Sequence, residues 1–311
     1  MLDPSFHDPH APGSLVVRAG ETLKIMHRWG YAPRIEALSA QLLGGPTNAE
    51  NLNRELEAHP DLVVQDGFVS LRGQADLISR SRKRVKTHEK LGGEALVVAR
   101  TFARDLASSC PVVNCIALSG SLASGGYGPQ DDIDFDLIVQ AGTKYLSYLI
   151  ALLVGLKYSW KYRRRRLDEV HSTPLFPKIT CVNVVWPEDQ SQPFVRQDEH
   201  MAFELLRCEP LSGAQAFRSV LDRNPWIGQY FPQAYNREWP IELPIPPNFL
   251  GRIIAGIHRN SRMERLAEAS SRTIAWILYR YVQRSRRRNS EAVAHLEFLR
   301  RAKFPYEVFQ D

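Results

Sequence analysis

The chain has 311 residues, 44% hydrophobic and 24% charged, with 40 Lys+Arg against 34 Asp+Glu and a formal net charge of +6. That balance is ordinary for a soluble globular protein, leaves room for two domains, and excludes a collagen-like or disordered composition. Four cysteines (Cys110, Cys115, Cys181, Cys208) form no CxxC pair and no zinc-like spacing with histidine, so a reduced cytoplasm is the expected home. Cys115 and Cys181 fall in apolar runs and read as small core residues. The start, Met1-Leu2-Asp3-Pro4, has neither the basic opening nor the apolar stretch of a signal peptide.

Residues 1–20 are rich in Pro, His and Gly and read as a loosely ordered leader. Over 21–74 the apolar spacing predicts three short helices and a hairpin. The first helix is expected over Glu21–Trp29 and the second over Pro33–Leu43, where Pro33 suits a first-turn position. After Gly44-Gly45-Pro46, Thr47 is placed to cap a third helix over Asn48–His59. The runs Leu62–Gln65 and Phe68–Leu71 flank Asp66-Gly67, a strong two-residue turn signal. Three helices then a hairpin is the order of a winged helix-turn-helix. Its charges argue against tight binding of duplex DNA. Residues 1–74 hold 6 Lys+Arg against 9 Asp+Glu, a net of −3, and the third helix sets Glu50, Glu55 and Glu57 against Arg54 alone. DNA affinity rests on neutralising phosphates, so a small packing or docking module is the better expectation.

Residues 75–110 read as connecting helices, with Arg80, Arg82, Lys83, Arg84, Lys86 and Lys90 crowded into the first half. Gly92-Gly93 is expected to break this run before a core-facing helix over Glu94–Ser108. The segment 111–190 then carries the chemistry. An apolar strand, Val112 to Leu118, runs into Ser119-Gly120-Ser121. After a ten-residue spacer, Asp132-Ile133-Asp134 opens a second apolar strand, Ile133 to Val139. Residues i and i+2 of a strand point to one side, so Asp132 and Asp134 can converge on one metal position. Mg²⁺ takes oxygen ligands, often one or two carboxylates plus substrate phosphates. The Gly120-Ser121 turn offers backbone N–H groups and a hydroxyl to phosphate oxygens.

This arrangement resembles the polymerase-β-type nucleotidyltransferase superfamily, whose signature is an apolar residue, Gly-Ser, a spacer near ten residues, then Asp-x-Asp. The spacing is similar to that of the minimal nucleotidyltransferase branch, with Asp131-Asp132-Ile133-Asp134 where that branch usually reads Ser-Asp-Ile-Asp. The motif covers 112–140. A looser likeness over 90–240, through Lys178-Ile179-Thr180-Cys181-Val182-Asn183 and Asn224-Pro225-Trp226-Ile227, is to a poorly characterised group of bacterial and archaeal nucleotidyltransferase-domain proteins. The resemblance implies an α+β fold: a polymerase-β-like core over 111–190, a mixed sheet with helices, preceded by a winged-helix-like domain over 21–74. A helical region over 191–311 would follow.

It also implies a chemistry. Two carboxylates hold Mg²⁺ (or Mn²⁺) and the triphosphate of an NTP, an acceptor hydroxyl attacks the α-phosphorus in line, and pyrophosphate leaves. Carried over, Asp132 and Asp134 become the metal ligands, while Gly120 and Ser121 become the triphosphate cradle. Such transfer is mostly positioning and charge neutralisation, so losing either carboxylate should cost about a thousandfold in rate. The family's third carboxylate comes from a neighbouring strand. The best candidate strand here, Ile179–Val185, carries Asn183 instead. An amide can contact the nucleotide but is a poor base and a weak Mg²⁺ ligand. Asp136 continues the alternation of 132 and 134, one strand repeat deeper. It reads either as a catalytic substitute or as a buried, hydrogen-bonded structural acid. Without a third acid, the alternative to an enzyme is a degraded nucleotide-binding regulator or adaptor with a winged-helix docking domain.

Tyr145 to Leu156 is nearly all apolar, too short to span a bilayer, and reads as a buried helix against the sheet. Helices are expected over Gln197–Arg207, Ala214–Asn224 and within 249–303, the last after a Pro-rich connector, Trp239–Pro247. Three basic stretches, 80–90, 161–166 and 284–288, make a polyanionic acceptor such as RNA plausible. The acceptor could equally be a protein side chain or a small molecule. His171, His200 and His258 have no partners at ligand spacing and read as structural or surface residues.

Overall fold

The computed structural model describes residues 14–164, 177–240 and 243–286, with four single positions between 290 and 297. Among them the chain folds as α+β. In order the elements are α1 (Leu15–Arg28), α2 (Ile35–Ala40), α3 (Ala49–Glu57), β1 (Leu62–Gln65), β2 (Phe68–Leu71), α4 (Asp76–Ser109), β3 (Val113–Leu118), α5 (Gly120–Ala123) and β4 (Ile133–Val139). There follow α6 (Lys144–Lys161), β5 (Thr180–Pro187), α7 (Glu188–Ser191), α8 (Glu199–Arg207), β6 (Glu209–Ser212), α9 (Ala214–Asp222), α10 (Ile227–Tyr230), α11 (Phe249–His258) and α12 (Ser261–Arg286). Their contacts divide the chain into two units. One holds the described residues of Met1–Lys86 with Arg196–Leu206 and Asn224–Glu238; the other holds Thr87–Val195, Arg207–Arg223 and the described residues of Trp239–Asp311.

In the first unit α1 starts at Leu15, inside the stretch expected to be a leader, because Ser14 accepts a hydrogen bond from the Val17 N–H and the helix buries Ala19, Leu23 and Met26 at helical spacing. Residues 1–13 lie outside the described residues. Helix α2 is shorter than expected. Pro33 stays outside it because its carbonyl accepts the Val69 N–H at 2.9 Å. The cap of α3 is Asn48, not Thr47: the Asn48 amide oxygen accepts from the N–H groups of Glu50 and Asn51 at 2.9 and 3.1 Å. Strands β1 and β2 pair from Leu62↔Leu71 to Gln65↔Phe68. The turn residues Asp66 and Gly67 have φ of 53° and 74°, as a primed two-residue turn requires.

Helix α4 runs unbroken through Gly92-Gly93, against the expected break. Two glycines cost about 1 kcal/mol each in a helix interior. The fully buried Ala99, Phe102 and Leu106 that follow offset this by packing into the core of the second unit. That core lies on one face of a four-stranded sheet of order β5-β4-β3-β6. Strand β3 is antiparallel to both β4 and β6, whereas β4 and β5 are parallel. Phe102 meets Phe135 with ring centroids 4.6 Å apart, and Tyr158 of α6 meets Phe102 edge-on at 5.6 Å. Helix α6 buries only one face: Leu146, Ile150, Ala151 and Tyr158 are covered, but Leu153 and Leu156 are about half exposed. No helix of the described residues is long and apolar enough to cross a membrane.

The region after residue 190 is not wholly helical. Glu209-Pro210-Leu211-Ser212 forms β6, an edge strand, the place where a sheet tolerates proline. Four polar-edged residues around a proline give no strand pattern to read. Among the expected basic stretches, 165–166 and 287–288 fall outside the described residues, as does His171. His200 instead lies beside Arg28 in the first unit, and His258 pairs with Glu264 in the second.

Candidate functional site

The site is built where β3 hands the chain to β4. After Leu118, Ser119 donates its N–H to the Asp134 carbonyl at 3.0 Å, which pins the turn alongside β4. Gly120 follows with φ of 63°, a left-handed conformation that side chains resist. Space forbids a side chain there as well: a Cβ on Gly120 would lie 1.9 Å from Asp134 Oδ2. The turn backbone and the Asp134 carboxylate therefore touch directly. Ser121 is partly buried in the single turn of α5 that begins at Gly120. One turn is too short to build a helix dipole, so anything α5 offers a ligand comes from individual N–H groups and the Ser121 hydroxyl.

Strand alternation does the rest. Ile133, Phe135, Leu137 and Val139 enter the apolar core, which turns Asp132, Asp134 and Asp136 to the opposite side. Parallel β5 pairs Cys181 with Asp134 and Val182 with Phe135, then skips Asn183 before Val184 meets Asp136. Asn183 is thus the extra residue of a β-bulge, a device that re-aims side chains. One ligand atom each of Asp132, Asp134 and Cys181 lies within 4.8 Å of the others. Asp132 is 4% exposed, and its Oδ2 is buried with no hydrogen-bond partner. A buried carboxylate oxygen left unpaired is costly, and a bound cation is one remedy.

The electrostatics point the same way. Burial first, then the charge of Asp132, pushes the Asp134 carboxyl well above the usual carboxylate range; Asp136 adds to this, while Lys178 and a hydrogen bond from Asn183 oppose it. Burial pushes the Cys181 thiol up to about 12, so it stays neutral near pH 7. It donates to Asn183 Oδ1 at 3.1 Å and accepts from Lys178 Nζ at 2.7 Å. Burial alone would lower Lys178, but Cys181, Asp132 and Tyr148 outweigh it and the ammonium is held above its ordinary value.

Of the residues named from sequence, the structure brings Gly120, Asp132, Asp134 and Asn183 together, with Ser121 next in the turn. Asp136 shares the face but lies deeper, 1% exposed, accepting from Ser119 Oγ at 3.1 Å and Cys208 Sγ at 3.3 Å. Cys181 is buried, as expected of a small core residue, and its sulfur also lies beside the acids. Lys178 enters the sequence reading only as part of the segment 178–183, with no role of its own. The signal available was Cys181 and Asn183 two apart on a strand, a polar face directed at the Asp-x-Asp strand. The donor set fits one hard divalent cation: two carboxylates face one position, one oxygen is unpartnered, and a neutral thiol is a poor ligand for Mg²⁺.

Compared with family models, with curated proteins and with solved structures, the chain matches none.

Proposed function

We propose that the protein is a Mg²⁺-dependent nucleotidyltransferase of the polymerase-β type, moving an NMP from an NTP to an acceptor hydroxyl with release of pyrophosphate. One observation carries the reading: Asp132 and Asp134 converge beside Gly120, whose missing side chain admits the Asp134 carboxylate, and Asp132 Oδ2 is buried and unpartnered. Asp132 and Asp134 would hold the ion, Mg²⁺ or Mn²⁺. When bound, such an ion neutralises phosphate charge and favours the deprotonated acceptor. Gly120 and Ser121 supply N–H and hydroxyl donors to the triphosphate, and Asn183 holds the Asp134 carboxylate with its amide. Burial and the bonds from Ser119 and Cys208 give Asp136 the part of a positioning acid behind the pair.

For the acceptor, Lys83, Arg84 and Lys86 are exposed, while Arg80 and Arg82 pair with Asp76 and Asp66. Exposed cations of this kind suit a polyanion such as RNA. In the first unit the exposed Glu50, Glu55 and Glu57 of α3 support a winged-helix-like docking module with no tight hold on duplex DNA. The second reading, a nucleotide-binding adaptor without turnover, draws on Asn183 where the family has its third acid.

The deciding experiment incubates the full chain with each radiolabelled NTP, Mg²⁺ or Mn²⁺, and pools of RNA, protein and metabolites. Transfer of label to one pool is the expected result and identifies the acceptor class. NTP binding without transfer supports the adaptor.

A further inference from the structure

Lys178 stands just before β5, with its ammonium 2.7 Å from Cys181 Sγ. That sulfur lies within 4.8 Å of a carboxylate oxygen of both Asp132 and Asp134. The ammonium is therefore inside the reach of about 10 Å over which charges act at 0.1 M salt, and it interacts electrostatically with both acids. It does not take the buried Asp132 Oδ2, which keeps no hydrogen-bond partner. The wall where a third carboxylate is expected holds the neutral Asn183. This side of the site thus presents two acids and one fixed cation.

We infer that Lys178 is the built-in counter-cation of the Asp132–Asp134 pair, so that a divalent ion alone is held weakly there and competes with the ammonium. The inference rests on reading this pair as the metal site of a nucleotidyltransferase, but it concerns the charge of the site and not its turnover. A cation supplied by the chain keeps two buried like charges tolerable when no ligand is present. It also leaves the triphosphate, with its own negative charge, to tip the balance toward the metal.

The test titrates Mn²⁺ alone into the full-length protein and counts free ion by electron paramagnetic resonance. Lys178→Met and Lys178→Gln, checked for folding by circular dichroism melting, should each bind one Mn²⁺ at least tenfold tighter than the wild type. Lys178→Arg, which keeps the charge, should match the wild type. The gain should vanish when Asp132→Asn/Asp134→Asn is added. Neutral variants that bind Mn²⁺ no better than the wild type overturn the inference, as does a gain that survives loss of the acid pair. If Lys178→Met does not fold, Lys178→Gln decides. Failure of the nucleotidyltransferase reading looks different: the Mn²⁺ gain at the acid pair appears, yet no Mg²⁺–NTP binds.

Discussion

On one face of β4, Ile133, Phe135, Leu137 and Val139 pack against α4 and α6 in the apolar core; on the other, Asp132, Asp134 and Asp136 follow one another at the same two-residue interval. The first face is satisfied by its own neighbours. Its rings and methyl groups lose nothing when the chain is alone. The second is not: Asp132 keeps an unpartnered buried oxygen, and Asp134 is pushed upward by burial and by Asp132. One strand therefore stabilises the fold on one side and stores unmet electrostatic demand on the other. Perturbed acids of this kind concentrate at functional sites.

The contrast can be broken at its stable side first. Phe135→Ala should lower stability by about 3–5 kcal/mol through the cavity it leaves against Phe102, read as a shifted midpoint in urea. A loss under about 1 kcal/mol would mean the core packs elsewhere. Gly120→Ala comes next. Its Cβ must displace the Asp134 carboxylate, and φ above zero adds about 1–2 kcal/mol of strain. Mn²⁺ binding should fall at least tenfold along with the melting temperature; unchanged binding would detach Gly120 from the site.

Asp136→Asn sharpens the comparison within the polar face. The variant turns an amide donor toward groups that now donate to the acid, so it should cost about 1–2 kcal/mol of stability with little change in NTP affinity. A tenfold or greater loss of single-turnover rate at unchanged affinity would give Asp136 a catalytic part.

How much of this was legible in the sequence differs by element. The hairpin was readable because Asp66-Gly67 specifies its turn locally. The acid pair was readable because alternation along β4 follows from two-residue periodicity. The continuity of α4 was not, since burial of Ala99 and Phe102 outweighs the local cost of Gly92-Gly93. Nor was β6, whose pairing with β3 is a tertiary fact. Lys178 escaped because its place beside Cys181 and the acid pair comes from the pairing of β5 with β4, a tertiary fact.

Asp134 also sets a pH dependence. The folded value of Asp134 lies above its unfolded one, so ionisation opposes folding. The penalty is absent below about pH 4, grows as pH rises between the two values, and is complete above the folded one. Asp134→Asn removes it. Without divalent cations, the variant should be more stable than the wild type at neutral pH, and the two denaturation curves should converge below about pH 4.

Calorimetry of Mg²⁺ with each of ATP, GTP, CTP and UTP, on the wild type and on Asp132→Asn/Asp134→Asn, tests the central claim most directly. At least one NTP should bind the wild type only when Mg²⁺ is present, and the double variant, still folded, should lose that binding. Equal affinity in the two proteins, or no Mg²⁺-dependent binding of any NTP, would contradict it.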